Sequence, residues 1–287
     1  MNNYKGIIYA ILSSIAFGLM PIFAKYAYMN GSNPTSVLIF RFLFAGIILF
    51  IHLKMKKIDI KISKSNFILL FLIGLLGYTV TTQTLFTEYD YLGAGLATAL
   101  HFIYPVVVCL FGFFVLKEKM SRTKLLSLLL SGIGVYALVA FENKTLSTVG
   151  IFLALFSGVT YGLNVIALGL KSLKDLDNRV TTMYVSFGGF VGMLLYGIFE
   201  KNIVWDMNIQ VFTSYAGIAV VSTIFSIILM LKAIETIGTG STSILGTFEP
   251  IVSIILGILL FSETLSMALI LGTVLIIISA IMLVKDK

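Results

Sequence analysis

The chain has 287 residues, 59% of them hydrophobic and only 11% charged, against about 25% charged in ordinary soluble domains. That composition, with a mean hydropathy of +1.05, excludes a soluble globule. A single cysteine (Cys109) and two histidines (His52 and His101) exclude an intramolecular disulfide and a Cys- or His-rich metal site, while a net charge of +7 raises nucleic acid as a partner until the basic residues are placed.

Apolar runs of helical length follow one another along the whole chain, and a crossing needs roughly 20 such residues. The pattern predicts ten transmembrane helices: Gly6–Tyr28, Thr35–Leu53, Phe67–Thr87, Gly93–Leu116, Leu125–Phe141, Thr148–Leu170, Val180–Phe199, Ile209–Leu231, Gly238–Phe261 and Leu265–Val284. The longest connection, Lys54–Asn66, has 13 residues and leaves no room for a soluble domain. The first run is read as a retained helix, because no small-residue cleavage site follows its single preceding lysine. With the N-terminus inside, 16 Lys and Arg fall in inner segments against Lys144 and Lys201 outside. Basic residues stay on the cytoplasmic side, so both termini are expected there, in a plasma (inner) membrane. The positive charge is then a topology signal; the expected partners are the lipid bilayer and a small-molecule substrate, with no nucleic acid and no cofactor.

Two stretches repeat. Sliding Gly93–Ser121 forward by 145 positions places Gly93 on Gly238, Gly95 on Gly240, Pro105 on Pro250, Glu118 on Glu263 and Ser121 on Ser266. A shift of 144 lays Gly6, Ala10, Ser13 and Gly18 on Gly150, Ala154, Ser157 and Gly162. The chain is therefore expected to be an all-α membrane protein of two five-helix repeats, residues 5–141 and 148–285. Five is odd, so the second repeat enters the membrane inverted, as in many secondary carriers with a midplane site between the repeats.

Two five-helix halves, each carrying a small-residue-rich helix, a proline, an aliphatic run, a glutamate and a last helix, resemble the EamA family of the drug/metabolite transporter superfamily. The carrying stretches are IYPVVVCLFGFFVLKEKMS, ending at Ser121, and FEPIVSIILGILLFSETLS, ending at Ser266; Arg41 within the second span also fits. The resemblance implies a ten-helix carrier exporting amino acids or other small metabolites by alternating access. One departure is Phe17-Gly18, where relatives often have Trp-Gly.

Several polar side chains fall at membrane depth. Thr242, Gly246, Glu249 and Ser253 share one helix face, and Pro250 leaves the Gly246 carbonyl without its helical donor. A central carboxylate facing lipid would cost on the order of 3 kcal/mol or more, so Glu249 faces protein or a cavity. It is read as a substrate-amine or proton site, or else as a residue tied into packing. His101 and Tyr104, one turn apart beside Pro105, are the repeat counterparts; they line the cavity opposite Glu249 or pack against neighbours. Arg41 is expected to pair with Glu88 as a structural or gating ion pair, ahead of direct substrate contact. Gln83, Ser157, Tyr161 and Asn164 either line the cavity or bond across helices, and Phe17, Phe102 and Phe248 are candidate cavity walls. Pro21, Pro105 and Pro250 are expected hinges. Glu118 and Glu263 are read as boundary residues that bind nearby backbone or lysine. Ser131–Gly134 and Gly272 suit close helix contact, making the fifth and tenth spans a candidate homodimer face.

A secondary transporter of a neutral or zwitterionic metabolite fits these features best, because the site holds few fixed charges. The alternatives are a lipid-modifying membrane enzyme, which would need a nucleophile–base pair or metal cluster, and a channel or non-transporting subunit. No GxxxxGK[ST] loop is present to drive a primary pump.

Overall fold

The computed structural model describes residues 3–92, 100–139, 147–261 and 267–285, and among these every regular element is helical. In chain order they are α1 (Asn3–Gly18), α2 (Met20–Met29), α3 (Pro34–Met55) and α4 (Lys64–Leu72). A π turn (Ile73–Tyr78) then leads into α5 (Thr79–Leu92), followed by α6 (Tyr104–Val115), α7 (Arg122–Val139), α8 (Thr148–Leu168), α9 (Asn178–Glu200) and α10 (Ile209–Ala219). A second π turn (Val220–Phe225) leads into α11 (Ser226–Gly246), and α12 (Phe248–Phe261) and α13 (Met267–Lys285) complete the order. Short polar residues start the helices: Asn33, Ser63, Ser147 and Asn208 each accept the amide proton three residues on, satisfying donors that a helix start leaves unpaired.

Six helical stretches among the described residues are long and apolar enough to cross a membrane: Asn3–Met29, Pro34–Met55, Lys64–Leu85, Thr148–Leu168, Asn178–Glu200 and Ile209–Gly246. The other four expected spans are not delimited as separate long helices. Gly93–Leu116 lies partly outside the described residues and is represented by α6; Leu125–Phe141 and Leu265–Val284 correspond to α7 and α13. Gly238–Phe261 runs on from the helix before it and breaks again at Thr247.

That run-on hides a reversal. Gly238 has φ 81° and ψ 166° within α11, a conformation that only glycine adopts readily. Side chains of α1 show what it does. Ser13 Oγ donates to the Ser226 carbonyl at 2.8 Å, ahead of the break, and Ser14 Oγ donates to the Leu245 carbonyl at 3.1 Å, beyond it. Positions 226 and 245 therefore lie at one depth, and the chain turns back at Gly238. The 38-residue stretch is two antiparallel segments joined by one residue.

The same packing contact occurs in both halves. A Cβ on Gly18 would lie 2.8 Å from the Glu249 carbonyl and 2.8 Å from Val252; on Gly162 it would lie 3.3 Å from the Tyr104 carbonyl and 2.8 Å from Val107. Each pair of partners is separated by 145 positions, the offset of the repeat. Glycine here lets α1 and α8 approach a partner backbone directly, the means by which apolar helices associate where no hydrophobic effect drives them. Each of the three expected hinge prolines falls in the first turn after a break: Pro21 opens α2 after Leu19, Pro105 opens α6 after the turn at Phe102 and Ile103, and Pro250 opens α12 after Thr247. Proline lacks the amide that a first turn leaves unpaired anyway.

Elsewhere, α9 packs on the first π turn through Gly188, Gly189 and Gly192, and α7 packs along α13, where Ser279 Oγ donates to the Ser127 carbonyl at 2.6 Å. Large apolar side chains such as Phe114, Phe152, Leu195 and Leu259 point outward and are exposed, the surface that a lipid environment demands.

Candidate substrate site

Between α1, α6, α8, α11 and α12 lies a small cavity of ≈ 20 Å³, room for about one water molecule. Ser13, Ser14 and Phe17 of α1 form one wall, Tyr104 of α6 and Tyr161 of α8 a second, and Met230, Thr242, Ser243, Gly246 and Glu249 the third. The two tyrosine rings meet edge to face with centroids 4.7 Å apart, and Tyr104 Oη lies over Gly246. The breaks at Ile103 and Thr247 flank this space, so the chain departs from regular helix on both sides of it. Non-helical backbone at membrane depth is tolerated where it is buried in protein or lines a cavity.

Of the residues singled out from sequence, Glu249, Tyr104, Tyr161, Thr242 and Phe17 thus come together. His101 does not reach the lining: it is buried behind it, with Nδ1 2.9 Å from Ser157 Oγ and its ring 5.5 Å from that of Tyr161. Asn164 and Gln83 join helices instead. Asn164 Nδ2 donates to Thr81 Oγ1 at 3.3 Å, and Gln83 Nε2 donates to Tyr196 Oη at 2.9 Å. Arg41 is buried, 2% exposed. Its Nε donates to Thr223 Oγ1 at 2.8 Å, its Nη1 to Met20 Sδ at 2.8 Å, and its guanidinium lies over the Phe42 ring at 4.9 Å. The side chain of Glu88, its expected partner, lies outside the described residues, as do positions 93–99, Glu263 and Ser266 of the repeated motif.

Sequence reasoning missed Ser13, Ser14, Met230 and Ser243 as lining residues, and Tyr78, whose hydroxyl is buried with no hydrogen-bond partner among the described residues. Only the coincidence of Ser13 with Ser157 in the repeat pointed that way.

Glu118 does more than mark a helix end. Its carboxylate accepts from the Thr239 amide and hydroxyl, both at 2.6 Å, from the Gly240 amide at 3.1 Å, and from Lys124 Nζ at 3.1 Å. It caps the segment that starts after Gly238, which is 121 positions away in the chain. Burial works against its charge, but the Thr239 hydrogen bonds and the Lys124 ammonium outweigh it and hold the carboxyl below its ordinary range. A second cavity of ≈ 190 Å³ opens beside this contact, lined among others by Leu116, Glu118, Lys171, Lys174, Glu235 and Thr239.

The family model described as the EamA-like transporter family matches this chain twice, over residues 4–140 and 148–285. Among similar proteins is an uncharacterized inner membrane transporter of Salmonella typhimurium, YicL, 24% identical over 300 residues and covering 100% of this chain and 97% of its own. An uncharacterized transporter of Clostridium kluyveri is 25% identical over 293 residues, covering 96% of this chain and 92% of its own. Protein PecM of Dickeya dadantii is 23% identical over 223 residues, covering 76% and 73%. One solved crystal structure superimposes with a TM-score of 0.83 at 12% identity, covering 98% of this chain and 96% of that one.

Proposed function

Because the chain belongs to the EamA-like transporter family, we propose that it is a secondary carrier that exports a small zwitterionic or neutral metabolite, such as an amino acid, by alternating access. Membership makes it a multi-pass membrane transporter; substrate, direction and mechanism are the proposal. The supporting observation is the cavity between the halves, which Glu249 lines together with two tyrosines and where its carboxylate has no cation within ion-pair distance among the described residues. An unpaired carboxylate at this depth is costly, and such a group marks a substrate or ion path by default. Tyrosine faces attract an ammonium group and complement the carboxylate.

In this reading the two halves rock about the cavity, with the breaks before Pro21, Pro105 and Pro250 as hinges. The termini and the basic loops face the cytoplasm, on the strength of the Lys and Arg distribution. A cavity of ≈ 20 Å³ cannot hold an amino acid, so in this reading the halves move apart to admit one.

The test is counterflow in proteoliposomes with radiolabelled amino acids and related metabolites, wild type beside Glu249→Gln. Saturable exchange that the folded variant loses supports the reading. Equal flux in both removes Glu249 from the site, and flux that does not saturate favours a channel.

A further inference from the structure

We infer that the ≈ 190 Å³ cavity beside Glu118 is the mouth through which a small polar solute reaches the Glu249 cavity, and that an apolar partition of Val165, Leu168, Met230 and Leu231 is the gate between the two. The inference rests on the carrier reading above and goes beyond it by assigning a route and the residues that close it.

The two cavities share three walls. On α8, Val165 lines the Glu249 cavity, and Leu168 lines the larger one. On α11, Met230 lines the first, while Leu231 and Ile234 line the second. Beyond the reversal at Gly238, Thr242 and Thr239 divide in the same way. Residues three or four apart lie on one helix face, so each of these segments turns a single face to both spaces. The cavities are therefore stacked along the helices, offset by roughly one turn of 5.4 Å.

The larger cavity deepens from a charged rim to a buried floor. Lys171, Lys174 and Glu235 are exposed, whereas Leu168, Thr181, Leu231 and Thr239 are buried. The rim carries both signs of charge, which suits a zwitterion or a neutral polar solute better than a molecule of high net charge. By the measure that gives the Glu249 cavity room for about one water, this one holds about a dozen. In the carrier reading the distribution of Lys and Arg puts this end at the cytoplasmic face.

On α8 and α11 the partition offers no polar side chain. Val165, Leu168, Met230 and Leu231 belong to one buried apolar cluster. On the third wall the Thr239 hydroxyl is spent on Glu118 at 2.6 Å, and the Thr242 hydroxyl on the Gly238 carbonyl at 2.7 Å. A hydrated solute finds nothing there to replace its lost waters, and hydrophobic constrictions gate by excluding water. Tyr161 Oη donates to Met230 Sδ at 4.0 Å, so a wall of the site holds the partition in place. Methionine turns about three bonds, and a solute that takes the Tyr161 hydroxyl frees it to swing aside.

The test uses single thiols in a Cys109→Ala protein, probed with membrane-impermeant sulfonatoethyl methanethiosulfonate on inside-out and right-side-out vesicles. Thr242→Cys lies on the Glu249 side of the partition. Met230→Ala should speed its reaction about tenfold or more in inside-out vesicles and not in right-side-out ones, because the rate follows the open population. Leu168→Ala, on another helix, should do the same. Reagent attached at Asn178→Cys or Ile234→Cys, within the mouth, should abolish most counterflow, whereas reagent at the exposed Lys56→Cys outside it should not. Three results overturn the route and leave the carrier standing: acceleration from the opposite face, equal acceleration of the buried Ser127→Cys, or full counterflow after modification of both mouth thiols. Absence of saturable counterflow in unmodified wild type removes the carrier reading and the route with it.

Discussion

Glu118 joins the two halves of the chain through a single carboxylate that accepts four hydrogen bonds, three of them from Thr239 and Gly240. Replacing it with Gln removes the charge while keeping the shape. Hydrogen bonds to a charged group contribute about 1.5–3 kcal/mol each, so Glu118→Gln should lower Tm measurably in detergent, whereas the exposed Glu200→Gln should not. Equal melting of the two variants would reduce the Glu118 contact to an incidental one. The pH dependence has a definite sign. Because the folded protein holds the Glu118 carboxyl below its ordinary range, the contact contributes in full above that range and is lost as pH falls through the lowered value. Melting curves between pH 7 and 5 should therefore show no loss attributable to Glu118, and the difference between wild type and Glu118→Gln should close only in more acid solution.

At the scale of elements, the helices hold together by letting backbones touch. Gly74 in the first π turn faces the Val185 carbonyl and the Gly189 amide of α9, and a methyl group there would press on both. Overpacking of this kind typically costs about 1–3 kcal/mol, and here the obstacle is backbone, which cannot swing aside. Gly74→Ala should lower Tm, while Gly132→Ala on α7, with nothing within 4 Å of the added carbon, should not. If both are silent, the seam between α9 and the π turn is looser than its geometry. The sequence made the helical class, the repeated Gly and Pro positions and the cavity face of Glu249 legible, because these depend on composition and on spacing within one segment. It did not reveal which side of a helix meets which neighbour. Asn164 and Gln83 are as polar as Tyr161, but their helices turn them toward Thr81 and Tyr196 instead of the cavity. Depth alone matches Arg41 to Glu88, whose side chain lies outside the described residues, while the contacts of Arg41 with Met20 and Thr223 join segments up to 182 positions apart. The reading of Glu118 as a boundary residue that binds nearby backbone or lysine fits its bond to Lys124 but does not reach its cap on Thr239 and Gly240, which lies across the repeat. The reversal at Gly238 falls at the start of the expected span Gly238–Phe261, though the residues before it stay helical instead of forming a loop.

At the scale of the whole molecule, the contact at Glu118 ties the two halves of the chain together, and the chain carries its own reporter for its release. Cys109, the single cysteine, is 1% exposed on α6 and has its sulfur 3.9 Å from the Gly240 carbonyl, beside the residues that Glu118 caps. Alkylation requires that segment to move away. When opening and closing are fast relative to the reaction, the rate follows the population of the open form, and every 1.4 kcal/mol withdrawn from the closed form raises that population about tenfold. Under a membrane-permeant maleimide, wild-type Cys109 should react slowly, and Glu118→Gln should react about tenfold faster or more at a temperature well below its Tm. A transported substrate should alter the rate in wild type, because it binds the opened and closed forms unequally. If Glu118→Gln accelerates alkylation only near its Tm, the contact stabilises the fold as a whole and does not gate it. If it accelerates alkylation far below Tm, then this carboxylate closes the Gly238 end of the molecule, and the repeated glycine and glutamate of the sequence are the two parts of that closure.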